Sequence, residues 1–276
     1  MASSSPGDWT ERTLVRDGVR LSCRDWGGSG PGTLLLHGLA GHCGEWDAVA
    51  RLLRDAGHRV VALDQRGHGG GERHPGDVSR AAYVADVAEV VGQLGLVRPL
   101  LVGQSLGGHT ALLTAAAHPG LPRALVLVEA GPGGAEPGLP ERIGGWLRAW
   151  PVPFPSREAA VAYLGNGKRA VGEGWADGLE ARGDGFWPRF DPDVMERSLD
   201  EIAHRAFWQE WSAVDCPALV VLGEDGIIGG GEYAEMARLR PGLHGLSLPG
   251  AGHDVHLERP DELGRVILDF VRRAGL

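Results

Sequence analysis

The chain has 276 residues, of which 43% are hydrophobic, enough for one large domain with a sizeable core. Its net charge of −9, from 36 acidic and 27 basic residues, leads us to expect neither nucleic acid nor membrane as a partner. The three cysteines are odd in number and widely spaced, which excludes a disulfide framework and a cysteine zinc site. With no signal segment and no apolar run of membrane length, we expect a cytoplasmic protein.

Short apolar segments alternate with longer helical patterns along most of the chain. An opening hairpin is predicted over residues 14–26, and strands are predicted at Thr33–Leu36, Val60–Leu63, Leu100–Val102, Ala124–Val128 and Ala218–Leu222. Helices are predicted at Ser79–Leu94, Leu106–Ala117 and Asp261–Arg273, the last beginning just after Pro260. Strands that are apolar throughout are typical of burial on both faces, so this alternation predicts a mostly parallel sheet with helices on both sides.

The alternation is interrupted between about residues 131 and 215. This stretch contains six of the nine tryptophans and four of the five phenylalanines. It predicts a helical, aromatic-rich insertion at residues 132–215, within a core formed by residues 1–131 and 216–276. Most of these rings are expected to form the insertion's own core. Trp187, in the segment Gly185–Pro188, is predicted to form a wall of the substrate pocket.

A candidate nucleophile lies where a predicted strand meets a predicted helix. Residues 100–108 read LLVGQSLGG, which contains the pattern G-x-S-x-G centred on Ser105. A sharp strand-to-helix turn lifts a serine oxygen off the edge of the sheet, and Gly103 and Gly107 relieve the crowding at that turn. The pattern alone is weak, but a strand before it and a helix after it favour a nucleophilic role for Ser105.

Two further groups are needed for acyl transfer: a base and a pair of oxyanion donors. His253, in a Gly-rich loop late in the chain, is the candidate base, and His256 is expected to brace the same loop. The backbone N–H groups of Leu106 and Leu39 are the candidate oxyanion donors.

Four motifs together resemble the α/β-hydrolase superfamily. They are HGLAG at residues 37–41, DQRGHG at 64–69, GQSLGG at 103–108 and GAGHDVHLERP at 250–260. The resemblance covers residues 13–130 and 217–276. It implies the α/β-hydrolase fold, with a mostly parallel eight-stranded sheet, helices on both faces, and the insertion as a helical cap over the nucleophile.

The acidic partner of the histidine departs from the pattern that the resemblance implies. Most members carry this acid in Gly-x-x-Asp after the strand that follows the cap, where this chain reads Gly223-Glu224-Asp225-Gly226. Asp225, one position early, is one candidate. Glu129, after the strand Ala124–Val128, is the other, and its spacing from the serine is similar to that in zearalenone-type lactonases. We favour Glu129, because a carboxylate at the end of a buried strand needs a cationic or N–H partner.

These patterns predict a serine hydrolase that cleaves a carboxylic ester or lactone of a medium-sized apolar or aromatic small molecule. Carbon–carbon bond hydrolysis and cofactor-free perhydrolysis by the same residues remain alternatives. A slow or non-catalytic ligand receptor is a third, which the missing Asp at Gly226 raises. We expect no metal and no cofactor. The sequence leaves open whether the protein forms a homodimer.

Overall fold

The computed structural model describes residues 8–276, which form an eight-stranded sheet with helices on both faces. The sheet strands are β1 (Thr10–Arg16), β2 (Val19–Asp25), β3 (Gly32–Leu36), β4 (Arg59–Asp64), β5 (Leu100–Gln104), β6 (Ala124–Val128), β9 (Ala218–Gly223) and β10 (His244–Leu248). Their spatial order is β1-β2-β4-β3-β5-β6-β9-β10. The opening hairpin β1–β2 is antiparallel, and β2 pairs antiparallel with β4. The other neighbours in this order, from β4 through β3, β5, β6 and β9 to β10, pair in parallel. The predicted fold class is confirmed.

The central strands are apolar because they are covered on both sides. Every residue of β3, β5 and β6 is buried. Neighbouring residues of one strand face opposite layers, so Leu34 packs into one hydrophobic cluster and Leu35 into the other.

Helices form the two layers. The first layer contains α1 (Asp47–Asp55) and α12 (Pro260–Arg273), and the second contains α2 (Arg80–Gln93), α3 (Leu106–Ala117) and α10 (Gly230–Leu239). Ser79 caps α2 by accepting a hydrogen bond from Ala82 N at 3.2 Å. Pro260 occupies the first turn of α12, where its missing N–H costs no helical hydrogen bond.

The segment between β6 and β9 is mostly helical. It contains α4 (Leu139–Arg148), α5 (Arg157–Gly165), α6 (Arg169–Asp177), the hairpin β7 (Glu180–Arg182) and β8 (Gly185–Trp187), α7 (Pro192–Ser198), α8 (Asp200–His204) and α9 (Trp208–Ala213). Trp150 packs against Phe154 and Phe190 in a separate hydrophobic cluster. Trp211 of α9 instead packs with the sheet's second layer. The boundaries 132–215 of the cap stay a prediction.

Two short elements lie near the carboxyl edge of the sheet, each just before a helix of the first layer in the chain. They are a 3-10 turn at Cys43–Trp46 and α11 (Val255–Glu258). Among residues 8–276, no helix combines the length and the apolar character that a membrane crossing needs.

Candidate active site

Ser105 occupies a strained turn between β5 and α3. Its backbone has φ +50° and ψ −119°, a conformation that residues with a Cβ rarely adopt. A Cβ on Gly103 would overlap the carbonyl of Gly107, and a Cβ on Gly107 would overlap the carbonyl of Leu36. The two glycines therefore let β5, α3 and the end of β3 approach closely enough to form this turn. The Ser105 N–H donates to Val128 O at 3.0 Å, which holds the turn against β6.

The structure brings His253 and Glu129 together at the carboxyl edge of the sheet. His253 Nδ1 lies 3.6 Å from Glu129 Oε2, a distance longer than a hydrogen bond. The Glu129 carboxylate is fully buried and accepts N–H bonds from Gly223 at 2.7 Å and from Ile227 at 2.6 Å. These two donors offset the cost of removing a carboxylate from water.

The loop after β9 has no space for a side chain at position 226. A Cβ on Gly226 would overlap both the Oε1 atom and the carboxyl carbon of Glu129. The Glu129 carboxylate thus fills the space in which a side chain at position 226 would lie. Asp225 is exposed, its N–H donates to Ala251 O at 2.9 Å, and it is not among the residues lining the cavity around Ser105.

The other ring nitrogen of His253 faces a glutamine side chain. Gln104 Nε2 lies 3.1 Å from His253 Nε2 and donates to the His253 carbonyl oxygen at 3.1 Å. This contact puts a hydrogen on Nδ1, on the side of Glu129, if Nε2 is the acceptor. Among residues 8–276, Ser105 Oγ forms no hydrogen bond. If the Gln104 amide donates to His253 Nε2, this hydrogen bond must break before Nε2 can accept the Ser105 proton.

Two backbone N–H groups beside Ser105 are free to bind a substrate oxygen. Within the described part of the chain, neither Leu39 N nor Leu106 N has a hydrogen-bond acceptor, and both residues line the cavity. His37 braces the loop that carries Leu39: its Nε2 accepts from Gln65 N at 3.0 Å. Burial lowers the pKa of His37 to about 3, which keeps the ring neutral and able to accept that bond.

His256 contacts the 3-10 turn Cys43–Trp46, which follows Leu39 in the chain. Its Nε2 is 3.2 Å from Glu45 Oε2, and its ring lies 4.8 Å from the ring of Trp46. Burial lowers the pKa of His256 to about 4. These contacts connect the loop of His253 to the 3-10 turn after Leu39.

A cavity of about 620 Å³ opens around Ser105. Its apolar walls come from the scaffold and from the helical segment, and they include Leu39, Ile143, Trp146, Leu164, Val171, Trp175, Leu199, Ile202, Ile227 and Ile228. Trp187, predicted to form a wall, is not among the residues that line this cavity. Trp187 lies on β8, where its Nε1 donates to Asp184 at 2.9 Å and Arg182 stacks over its ring.

Seven polar wall residues were not anticipated: Glu45, Gln104, His109, Glu136, Arg142, Glu232 and Asp254. His109 carried a signal that could have been used, because it follows Ser105 by one turn of α3 and so lies on the same helix face. Glu45 and Glu232 come from separate elements and had no comparable signal.

Comparisons with known proteins agree with this fold. The profile described as "Alpha/beta hydrolase family" matches residues 33–266. The chain is 30% identical over 253 residues to sn-1-specific diacylglycerol lipase ABHD11 of Mus musculus, covering 87% of this chain and 81% of that protein. It is 31% identical over 266 residues to N-formylmaleamate deformylase of Pseudomonas putida, covering 92% and 94%.

A solved structure shows the same architecture. The crystal structure of E-2-(acetamidomethylene)succinate hydrolase superposes with a TM-score of 0.84 at 24% identity, covering 96% of this chain and 99% of that one. The family profile runs from β3 into α12 and therefore includes six of the eight sheet strands, the serine turn and the histidine loop. The chain belongs to the alpha/beta hydrolase family, and it is a hydrolase by that membership.

Proposed function

We propose that this protein is a serine hydrolase that cleaves carboxylic esters or lactones of medium-sized apolar or aromatic molecules through an acyl-enzyme. One observation carries the proposal. Ser105, at its strained turn, shares a cavity with His253, whose Nδ1 faces the buried Glu129 carboxylate at 3.6 Å. Nucleophile, base and acid in this arrangement are what acyl transfer requires.

In the acylation half, Ser105 Oγ attacks the carbonyl carbon while His253 Nε2 takes the hydroxyl proton. The electron pair of the C=O bond moves to its oxygen, which the N–H groups of Leu39 and Leu106 stabilise. The Glu129 carboxylate stabilises the imidazolium. Collapse of the tetrahedral intermediate breaks the bond to the alcohol, which leaves with the proton from His253.

In the deacylation half, His253 takes a proton from water, and the hydroxide attacks the acyl carbon of the Ser105 ester. The second tetrahedral intermediate collapses, the carboxylic acid leaves, and Ser105 recovers its proton from His253. The same five groups therefore serve both halves, and water is the only co-reactant.

Three observations support an ester or lactone as substrate. The cavity is largely apolar, with Trp146 and Trp175 in its walls. The nucleophile is Ser and not Asp, which disfavours dehalogenase or epoxide hydrolase chemistry. One relative is named as a diacylglycerol lipase, which by its name is an esterase. The Glu129 carboxylate beside His253 also weakens the argument for a non-catalytic receptor, which depended on the missing acid at Gly226.

As part of the same proposal we place the enzyme in the cytoplasm, where its three buried cysteine thiols stay reduced.

The test compares wild type with Ser105→Ala on short p-nitrophenyl esters and on a macrocyclic lactone. We expect wild type to hydrolyse at least one class, and Ser105→Ala to lose about 10³-fold or more in kcat, as nucleophile removal does. Circular dichroism checks that the variant is folded. Equal rates for the two proteins would remove the proposed function.

A further inference from the structure

The charged groups that line the cavity are mostly carboxyl groups. Glu45, Glu129, Glu232 and Asp254 line it, together with Glu136. Within residues 8–276, the lining contains one arginine and no lysine. That arginine, Arg142, is exposed and forms an ion pair with the equally exposed Glu136. The inner part of the cavity therefore has no Lys or Arg to offset its carboxyl groups.

Glycines leave room for two of these carboxyl groups. A Cβ on Gly41 would lie 2.7 Å and 2.8 Å from the two carboxyl oxygens of Glu45, and a Cβ on Gly131 would overlap Glu232 Oε1. Glu232 Oε1 also accepts the N–H of Gly133 at 3.0 Å. The backbone thus fixes both groups in the cavity wall, and they are not mobile surface charges.

One carboxyl oxygen of Glu45 has no hydrogen-bond partner within residues 8–276. Its side chain is 3% exposed, and Oε2 contacts His256. Among the described residues, its Oε1 has no partner, although Glu45 lines the cavity. Burial raises the pKa of Glu45 to about 8, and the Asp254 carboxylate adds to the shift. At neutral pH the Glu45 carboxyl group is therefore mostly protonated, and it offers a substrate carboxylate no positive partner.

The surroundings disfavour another negative charge. Burial raises the pKa of Glu232, and the Glu129 carboxylate raises it further. Burial lowers the pKa of His109 well below its usual value, so this wall residue is uncharged. Arg80, a buried cation nearby, is outside the lining: it donates to Thr110 Oγ1 and stacks 4.4 Å over the ring of Tyr83.

We infer that this cavity selects against negatively charged molecules, so that its ester substrate carries no carboxylate. The inference rests on the proposed function and adds the substrate's charge class to it. A substrate carboxylate would enter a partly desolvated space beside Glu129, Glu232 and Asp254, where like charges repel strongly. A neutral ester avoids this repulsion.

The test uses two pairs of esters that differ in one carboxylate. The first pair, methyl 4-acetoxybenzoate and 4-acetoxybenzoate, places the charge on the alcohol part. The second pair, phenyl hexanoate and monophenyl adipate, places it on the acyl part. Each kcat/KM is divided by the spontaneous hydrolysis rate in the same buffer at pH 7.5. We expect the neutral ester to be favoured by about 10-fold or more in both pairs.

Two matched variants on α10 test whether the preference for neutral esters arises in the cavity. Glu232→Gln removes a cavity carboxyl but keeps an oxygen for the Gly133 N–H, whereas Glu235→Gln removes a carboxylate that pairs with Arg238 outside the lining. We expect Glu232→Gln to reduce the preference about 3-fold or more, and Glu235→Gln to leave it unchanged.

Three outcomes overturn the inference. The first is equal or faster cleavage of the charged esters, with the proposed function intact. The second is an equal effect of the Glu232 and Glu235 substitutions. The third is no cleavage of either neutral ester above the Ser105→Ala background, which would remove the proposed function as well.

Discussion

A substitution at Glu129 tests most directly whether Glu129 or Asp225 is the acidic partner of His253. Glu129→Ala removes the carboxylate facing His253 and leaves the N–H groups of Gly223 and Ile227 without acceptors. We expect kcat on a neutral aryl ester to fall by about 10²–10⁴-fold, since the acid orients the base and stabilises the imidazolium. The orphaned N–H of the buried Gly223 is expected to cost about 1–3 kcal/mol of stability, and that of the exposed Ile227 less, because water can replace its acceptor.

A loss of stability alone could lower activity, so a second variant is needed. Glu129→Gln keeps the volume and an acceptor oxygen but cannot stabilise a positive imidazolium. We expect it to retain most of the thermal stability and to lose most of the activity, measured by kcat and by Tm on the same samples. Asp225→Ala, which changes an exposed side chain, should alter kcat by less than about 2-fold. A larger loss in Asp225→Ala than in Glu129→Ala would refute the assignment, as would wild-type kcat in Glu129→Gln.

The space beside Glu129 provides an independent check within the same loop. Gly226→Ala puts a Cβ where the Glu129 carboxylate lies, so we expect a displaced carboxylate, a large loss of kcat, and destabilisation of about 1–3 kcal/mol from overpacking. Gly229→Ala is the control, because its Cβ would meet no atom within 4 Å. Equal kcat values for the two variants would show that Glu129 is not held as described.

The remaining predictions concern the serine turn, the pocket walls and pH. Ser105→Gly should be more stable than Ser105→Ala by about 1 kcal/mol in urea unfolding, because glycine relieves the strain at φ +50°; equal stability would contradict the strain. Trp175→Ala should raise KM for an aryl ester several-fold and Trp187→Ala should not, since only Trp175 lines the cavity; the opposite ranking would restore Trp187 as a wall. Burial lowers the pKa of His37 to about 3 and that of His256 to about 4. Below pH 6.5 these two histidines therefore bind protons in the unfolded chain that they do not bind in the folded protein. The stability that depends on the neutral His37 and His256 rings is fully present above pH 6.5 and is lost towards pH 4, by about 1.4 kcal/mol per pH unit for each ring. A Tm that stays constant from pH 7 to 4.5 would contradict this.

The parts of the protein that could be predicted from sequence depend on local rules. Apolar strands alternating with helices define the sheet, because each strand must be covered on both faces. The turn at Ser105 follows from the glycines at positions 103 and 107, whose lack of side chains lets three elements approach closely. Both features depend on residues near one another in the chain, where spacing is informative.

The pocket walls could not be predicted in the same way. Trp146, Trp175 and Trp187 all lie in the helical segment and have similar burial propensities, so composition does not distinguish them. Trp187 turns away because Asp184 and Arg182 of its own hairpin bind its indole. That choice depends on the tertiary arrangement of short elements, which periodicity does not encode.

The acid position shows how an absent side chain can be interpreted. From sequence, the missing side chain at Gly226 was the one feature that raised the alternative of a non-catalytic receptor. In the structure the same volume is occupied by the Glu129 carboxylate, so a side chain at 226 and a carboxylate from 129 exclude each other. In this structure, glycine at position 226 is therefore a steric requirement for the observed position of the Glu129 carboxylate. The informative question about a missing functional side chain is which other group fills its space.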